Sequence, residues 1–374
     1  MNQKVKHVLG ISGGKDSAAL AVYMRQLYPS FDIEYYTCDT GNELQETYDL
    51  VDSLENYLGK EIKKLVAAKN TPEKSSFDHF LSVYKGYLPS STARWCTKKL
   101  KLEPFEKYMA SDQPTISYVG IRGDEEREGY ISKKSNIQSI FPFRKNIWSE
   151  DVIQKVLANN KIPFITKLYE EYSQSTKLKR IIEVVQQPLS SRFTQPQKLD
   201  TLLELGIKEF NRVVFAFLKT TDYPLSHADS FPLVENEDIL VREDIFQILR
   251  ETVGVPAYYE LKEYHVEIEG ELKTGYYSRS RSGCFFCFFQ QKIEWVWLYE
   301  THPKLFLEAM EYEKEGYSWM DSETLEELSR SERIVSIKKE HYLRMQRNKN
   351  KSKSDLLSDI LDDTEGEGCA ACFI

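Results

Sequence analysis

No stretch of this sequence is long and apolar enough to span a bilayer. The longest apolar runs, such as Val213–Leu218, fall far short of the roughly 20 residues a membrane helix needs. The opening Met-Asn-Gln-Lys-Val-Lys-His has no secretory h-region and leads into a strand-like segment, so the expectation is a cytoplasmic chain with no membrane partner. Histidine is scarce, with six residues at no ligand spacing. No Ser-His-Asp arrangement and no zinc-protease motif is present. Positive charge is in deficit: 50 Lys and Arg against 58 Asp and Glu leave a net charge of −8 over 374 residues. That balance argues against nonspecific coating of nucleic acid, yet permits a local basic groove. Disorder throughout is excluded, because 41% of residues are apolar and 13% aromatic.

Cysteine is also sparse, but its spacing is informative. The six residues are Cys38, Cys96, Cys284, Cys287, Cys369 and Cys372, and four of them form two Cys-x-x-Cys pairs. In a cytosolic chain such pairs are metal ligands or redox groups more often than structural disulfides.

The first part of the chain alternates strand and helix patterns. Strands are expected at Val5–Ile11, Asp32–Cys38, Ile62–Ala67 and Thr115–Ile121. Helices are expected at Asp16–Leu27, Leu44–Leu58, Ser76–Tyr87 and Thr97–Met109. This alternation implies βαβ units, a parallel sheet and a ligand site at the carboxyl ends of its strands. Four segments follow from composition: a sheet domain over 1–171, a helical insertion over 172–238, a cysteine-containing helical region over 239–346 and a polar tail over 347–374. Helices are expected in the insertion at Thr176–Gln187 and Asp200–Leu218. Glu150-Asp151 and Glu243-Asp244 open similar stretches that end at Pro163 and Pro256 with the same spacing. They are either a small duplicated helical hairpin or two unrelated capped helices.

The richest segment is Ile11-Ser12-Gly13-Gly14-Lys15-Asp16-Ser17. An apolar strand ends, a glycine turn follows and a helix begins. Glycines let the backbone approach an anion, and the freed amides and the helix dipole then point at it. Lys15 adds charge, while Ser12 and Ser17 add hydroxyl donors. The pattern is neither a Walker loop nor a dinucleotide fingerprint.

This motif resembles the PP-loop of ATP pyrophosphatases, which split ATP between the α- and β-phosphates. Three further blocks resemble the phosphoadenosine-phosphosulfate-reductase branch of that superfamily: Asp39-Thr40-Gly41-Asn42-Glu43, Arg94-Trp95-Cys96-Thr97-Lys98-Lys99-Leu100-Lys101, and Gly120-Ile121-Arg122-Gly123-Asp124-Glu125 with Arg127. The resemblance covers roughly residues 5–170 and 240–300 and implies an α/β PP-loop fold with a parallel sheet. It implies ATP held by Ser12, Gly13, Gly14, Lys15, Asp16, Ser17, Asp39, Thr40, Gly41, Arg94, Lys98, Gly120 and Arg122, with Lys15, Asp16 and Asp39 as catalytic residues and Mg²⁺ on Asp39. A turn-forming Asp39, a solvated basic face at Arg94–Lys101, and pairing of Arg122 and Arg127 with Asp124 are the structural alternatives.

The resemblance further implies a [4Fe–4S] cluster built from Cys96, Cys284 and Cys287, with Cys372 or Cys369 folding back as fourth ligand. Zinc on four thiolates is the alternative. The tail pair is otherwise a persulfide carrier or redox dithiol. Sulfonucleotide reductases have lost the intact Ser-Gly-Gly-x-Asp-Ser turn, which this chain keeps, and it lacks their terminal Glu-Cys-Gly-x-His motif. The nearest resemblance is therefore to DNA-phosphorothioation ATP pyrophosphatases. It implies a nucleic-acid acceptor, DNA before tRNA, reached through Arg281, Lys98 and Lys101, together with a sulfur donor such as a cysteine desulfurase and other modification-system subunits. The alternatives are tRNA thiolation, reduction of a sulfonucleotide such as adenylyl sulfate, and a non-catalytic ATP-sensing, DNA-binding subunit.

Overall fold

The apolar strands and their following helices build a five-stranded parallel sheet in a computed structural model that describes residues 4–125 and 134–351. In chain order the first elements are β1 (Lys6–Gly10), α1 (Lys15–Leu27), β2 (Ile33–Asp39), α2 (Gln45–Leu58), β3 (Ile62–Val66) and α3 (Ser76–Val83). A π-helical turn at Thr97–Leu102 runs into α4 (Glu103–Tyr108), then come β4 (Thr115–Tyr118) and β5 (Ile137–Ile140). The strand order is β3-β2-β1-β4-β5. Leu9 lies opposite Tyr35 on one side and Tyr118 on the other.

Alternate residues of each strand enter different cores, as the pleat requires. Leu9 and Tyr35 join a large core with α1 and α2, while Val8, Tyr36 and Cys38 pack beneath Phe105 and Met109 on the opposite face. Both faces of the sheet are thus covered, which explains why its strands read as continuous apolar runs. Burial pushes the Cys38 thiol up to about 12.

Beyond the sheet lie α5 (Glu150–Leu157), α6 (Ile162–Tyr172), α7 (Leu178–Gln186), α8 (Gln195–Leu205), α9 (Ile207–Leu218) and α10 (Arg242–Glu251). The segment expected as one helix over 200–218 is two, broken at Gly206. These helices share the large core with α1, and the buried Trp148 indole donates to Asn211 Oδ1 at 2.8 Å. Residues 172–238 therefore extend the core of the sheet on one face. The two Glu-Asp stretches each start a helix. After Pro163 the chain continues as α6, whereas after Pro256 it makes one short turn at Ala257–Tyr259 and enters a strand.

The C-terminal region is largely helical, as expected, with one feature the expectation did not include. It opens with an antiparallel hairpin, β6 (Lys262–Ile268) and β7 (Glu271–Tyr277). The hairpin is followed by α11 (Lys292–Thr301), α12 (Pro303–Glu311), α13 (Leu325–Leu328) and α14 (Ser331–Lys351). These elements form a second, aromatic core that also takes in Leu44, Phe77, Trp95 and Leu100 from the sheet domain. Among the described residues no helix is long and apolar enough to cross a membrane.

Candidate functional site

In a parallel sheet of order 3-2-1-4-5 the connections leave β1 and β4 in opposite directions, and a crevice opens between their carboxyl ends. The two most informative sequence blocks lie there. Ser12-Gly13-Gly14 leaves β1 and caps α1, while Gly120–Arg122 leaves β4. The helix N-terminus directs its first-turn amides into the crevice.

Steric need for glycine is specific here. Gly13 has φ +75°, and a Cβ there would meet Thr47 Cγ2 at 2.3 Å. A Cβ on Gly120 would sit 2.8 Å from the Asp16 carbonyl oxygen, so only glycine lets the end of β4 lie against the first turn of α1.

Inside the turn, Ser17 Oγ donates to the Gly14 carbonyl at 3.1 Å, accepts from the Ser12 amide at 3.2 Å and lies 3.1 Å from Ser12 Oγ. Lys15 is 2% exposed, and its ammonium lies 3.7 Å from Asp16 Oδ2 and 5.1 Å from the centre of the Tyr259 ring. Asp16 Oδ1 accepts from Arg122 Nη1 at 3.1 Å. Arg122, equally buried, also pairs with Asp124 at 2.9 Å and Glu125 at 3.3 Å. Of the two expectations for Arg122, pairing with Asp124 is present, and Asp16 joins that pairing.

The turn after β2 is the third wall. Asp39 Oδ1 accepts from the Gly41 amide at 2.9 Å and from the Tyr48 hydroxyl at 3.2 Å, so one carboxylate oxygen shapes the turn. Thr40 is buried and donates to Glu43 Oε1 at 2.6 Å, which the Tyr48 hydroxyl matches on Oε2 at 2.9 Å. Burial, followed by the Asp39 charge, pushes the Glu43 carboxyl above the usual carboxylate range, against the hydrogen bond from Thr40.

Distant sequence then closes over these three turns. Tyr258 donates to the Gly13 carbonyl at 3.0 Å, the Lys15 amide donates to the Tyr259 hydroxyl at 3.3 Å, and Ser282 Oγ donates to the Ser12 carbonyl at 3.5 Å. Cys284 lies 3.2 Å from Thr40 Oγ1 and forms a β-bridge with Glu43, and the Phe285 amide donates to the Asn42 carbonyl at 2.9 Å. The Cys-x-x-Cys turn is thus stitched to the Asp-Thr-Gly turn. Sequence reasoning assigned no role to Glu43, Tyr258, Tyr259 or Ser282. Glu43, at the end of the Asp-Thr-Gly block, and Ser282, as a neighbour of Cys284, carried some signal; the two tyrosines carried none.

Arg94 is exposed, donates from Nε to the Ser91 carbonyl at 2.9 Å and lies 5.1 Å over the Phe289 ring. Lys98 is exposed on the π-helical turn. Cys96 precedes that turn and packs against the aromatic core, as Cys284 does. Burial pushes the Cys284 and Cys287 thiols up. Beside them Arg279 is fully buried, donates to the Cys284 carbonyl at 3.2 Å, and keeps Nε and Nη1 without partners among the described residues. Such orphaned donors suit an anionic group in charge. Among the described residues, however, no three Cys, His, Asp or Glu side chains form a group able to hold a metal. The structure does not assemble Cys96, Cys284 and Cys287 into a ligand set. Arg127, Cys369 and Cys372 lie outside the described residues.

A doubly wound α/β fold with a glycine-rich anion turn at its switch point defines a nucleotide-binding class. Within that class, residues 6–187 match the phosphoadenosine phosphosulfate reductase domain family. Residues of the chain are 30% identical over 185 positions to an uncharacterised protein of Methanocaldococcus jannaschii, covering 45% of this chain and 35% of that protein. They are also 30% identical over 138 positions to the tRNA-specific 2-thiouridylase MnmA of Mannheimia succiniciproducens, covering 33% of this chain and 35% of that enzyme. The chain spans about a third of the length of each relative. No solved structure matches it. The family match covers the parallel sheet and the helices that follow it as far as α7.

Proposed function

We propose that the chain is an ATP pyrophosphatase of the sulfur-transfer type whose acceptor is a backbone phosphate of DNA. The observation that carries this reading is the intact Ser12–Ser17 turn at the sheet's switch point, with Lys15 buried beside it. The amides of the turn and the Lys15 ammonium bind the phosphates and stabilise charge that develops as pyrophosphate departs. A phosphate seated on the first-turn amides displaces the Tyr259 hydroxyl from the Lys15 amide. Arg122 and Asp16 hold the first turn against β4. Asp39 suits Mg²⁺, which takes one or two carboxylates together with phosphate oxygens and water. When bound, Mg²⁺ neutralises phosphate charge.

The acceptor oxygen attacks the α-phosphorus, pyrophosphate leaves, and a sulfur nucleophile then displaces AMP. Guanidiniums near the site that lack carboxylate partners among the described residues, Arg94 and Arg281 among them, favour a phosphodiester acceptor. A cysteine desulfurase as sulfur source and further modification subunits belong to this proposal. The likeness to a tRNA-specific 2-thiouridylase favours a tRNA base as the second reading.

Anaerobic incubation of the full chain with ATP, a cysteine desulfurase and its cysteine substrate as sulfur source, and either DNA or tRNA, followed by mass analysis, tests both. AMP, pyrophosphate and thiolated DNA are expected. Thiolated tRNA alone selects the second reading, and consumption of a sulfonucleotide without pyrophosphate selects a reductase. Nucleotide binding without pyrophosphate release leaves an ATP-sensing subunit. The [4Fe–4S] cluster expected on Cys96, Cys284, Cys287 and Cys372 would require the first three to move together, since they form no ligand group here, and it is tested separately. Iron and sulfide in anaerobically purified full-length protein are the expected result, and colourless zinc-containing protein overturns it.

A further inference from the structure

A groove of about 610 Å³ opens beside the Cys-x-x-Cys turn. Its walls are Phe288 and Phe289, the Ser90–Ser91 loop, the segment around Trp319, and α14 at Glu340 and Arg344. A chain of contacts links its Phe289 wall to the nucleotide turn. Ser282 donates to the Ser12 carbonyl at 3.5 Å, and its neighbour Arg281 lies 5.4 Å from the centre of the Phe289 ring, against which Arg94 also rests.

The charge of this groove is uneven. Glu323 is held by Arg333 at 2.7 Å and by Lys292, and Glu340 is held by Arg333 at 2.9 Å. Arg94, Arg281 and Arg344 have no carboxylate partner among the described residues. Arg344 donates instead to Gln291, and Arg281 Nη1 has no partner among those residues. Asp321 is a wall carboxylate that no cation of the described residues takes up. Of the three guanidiniums, Arg344 lines the groove beside Asp321, while Arg94 and Arg281 border it by stacking on its wall residue Phe289, in a chain whose net charge is −8. A rigid guanidinium fork matches phosphate oxygens two at a time.

We propose that this groove binds a strand of DNA, with its phosphates on Arg94, Arg281 and Arg344 and on the Ser90 and Ser91 hydroxyls, and leads that strand to the nucleotide turn. The inference rests on the reading above and supplies its acceptor path. Phe289 acts as a positioning residue, since its ring supports both Arg94 and Arg281.

Binding of a fluorescein-labelled single-stranded oligodeoxynucleotide to the full chain, measured across a salt series, tests it. Three phosphate contacts predict a slope of log K against log salt near −2, from about 0.7 per contact on single strands. Arg281→Gln and Arg344→Gln are each expected to make that slope shallower by about 0.7. A methylphosphonate oligonucleotide, which has no backbone charge, is expected not to compete. Arg344 is exposed, so its variant reads the contact even if Arg281→Gln fails to fold. Unchanged slopes in the folded variants would overturn the proposal, as would equally tight binding of RNA of the same sequence or displacement by polyglutamate. Binding of a non-cleavable ATP analogue, followed in the same preparations without DNA, separates the two ideas. Slopes as expected with no nucleotide binding leave the groove standing and remove the ATP reading; nucleotide binding with unchanged slopes does the reverse.

Discussion

Lys15 and Asp16 are adjacent in sequence, yet their substitution is expected to have different consequences. Asp16 lies against both the buried Arg122 and Lys15, and Arg122 keeps Asp124 and Glu125 when Asp16 is replaced. Asp16→Ala is therefore expected to lower stability in denaturant unfolding by about 1.5–3 kcal/mol, the range for a hydrogen bond to a charged group. Lys15→Met keeps the apolar stem that packs over Tyr259 and removes only the ammonium. It is expected to fold normally and to release pyrophosphate about 10²–10³-fold more slowly, as removal of a single preorganised donor does. Wild-type turnover in Lys15→Met would take this residue out of the chemistry. The sequence marked both residues as one motif; only the Arg122 contact separates a holding role from an electrostatic one.

Two glycine-bearing connections carry the predictions at the level of elements. Gly120 ends the β4 connection against backbone of α1, which cannot move aside as a side chain can. Gly120→Ala is therefore expected to cost about 1–3 kcal/mol by overpacking and to weaken nucleotide binding, read by thermal melting and by titration with a non-cleavable ATP analogue. In the β6–β7 hairpin the two turn residues, Glu269 and Gly270, have φ of +53° and +80°. A two-residue turn with both φ positive favours Asn-Gly, so Glu269→Asn is expected to raise stability by about 1 kcal/mol in chemical denaturation. That hairpin was legible in outline, since Tyr264, Val266 and Ile268 alternate inward before the turn. The aromatic run that follows reads as helix, and its pattern masked the shorter period of the strands. Edge strand β5 has no sequence signature of its own, because four residues give too short a pattern to separate from a loop.

The whole molecule responds to acid through groups that burial keeps neutral. Burial lowers His341 to about 4, and Tyr264 shares a 2.8 Å hydrogen bond with its Nδ1. Burial likewise lowers His7 to about 4, between Phe31 and Tyr118. Both imidazoles protonate more readily in the unfolded chain, near the ordinary imidazole value of 6.5. Stability is therefore fully present above that value and falls as pH drops from about 6.5 towards 4. The loss approaches roughly 3 kcal/mol for the more buried His341 and less for His7, at about 1.4 kcal/mol for each tenfold change in proton affinity. Urea unfolding at pH 7 and at pH 4.5 should show the decline, and His341→Gln should flatten it; a profile as steep as wild type would show that His341 is not its source.

Period, turn chemistry and residue type along the first 125 residues were enough to determine a parallel α/β sheet and its anion turn, because each depends on local backbone preferences, while the three blocks around the turn were marked by the family resemblance. Asp39 at the end of β2 and Gly120 after β4 follow directly from where an apolar run stops. Contacts between residues 244 or 245 positions apart were decided only by the tertiary structure: Tyr258 on Gly13, Tyr259 on Lys15, Cys284 on Thr40. Nothing local marks those tyrosines as different from other core aromatics. Their placement follows from the aromatic core of the C-terminal region, which takes in Leu44, Phe77 and Trp95 and thereby seats that region over the carboxyl ends of the strands. Long-range burial of that kind comes from summed apolar area, and area leaves no signature at a single position.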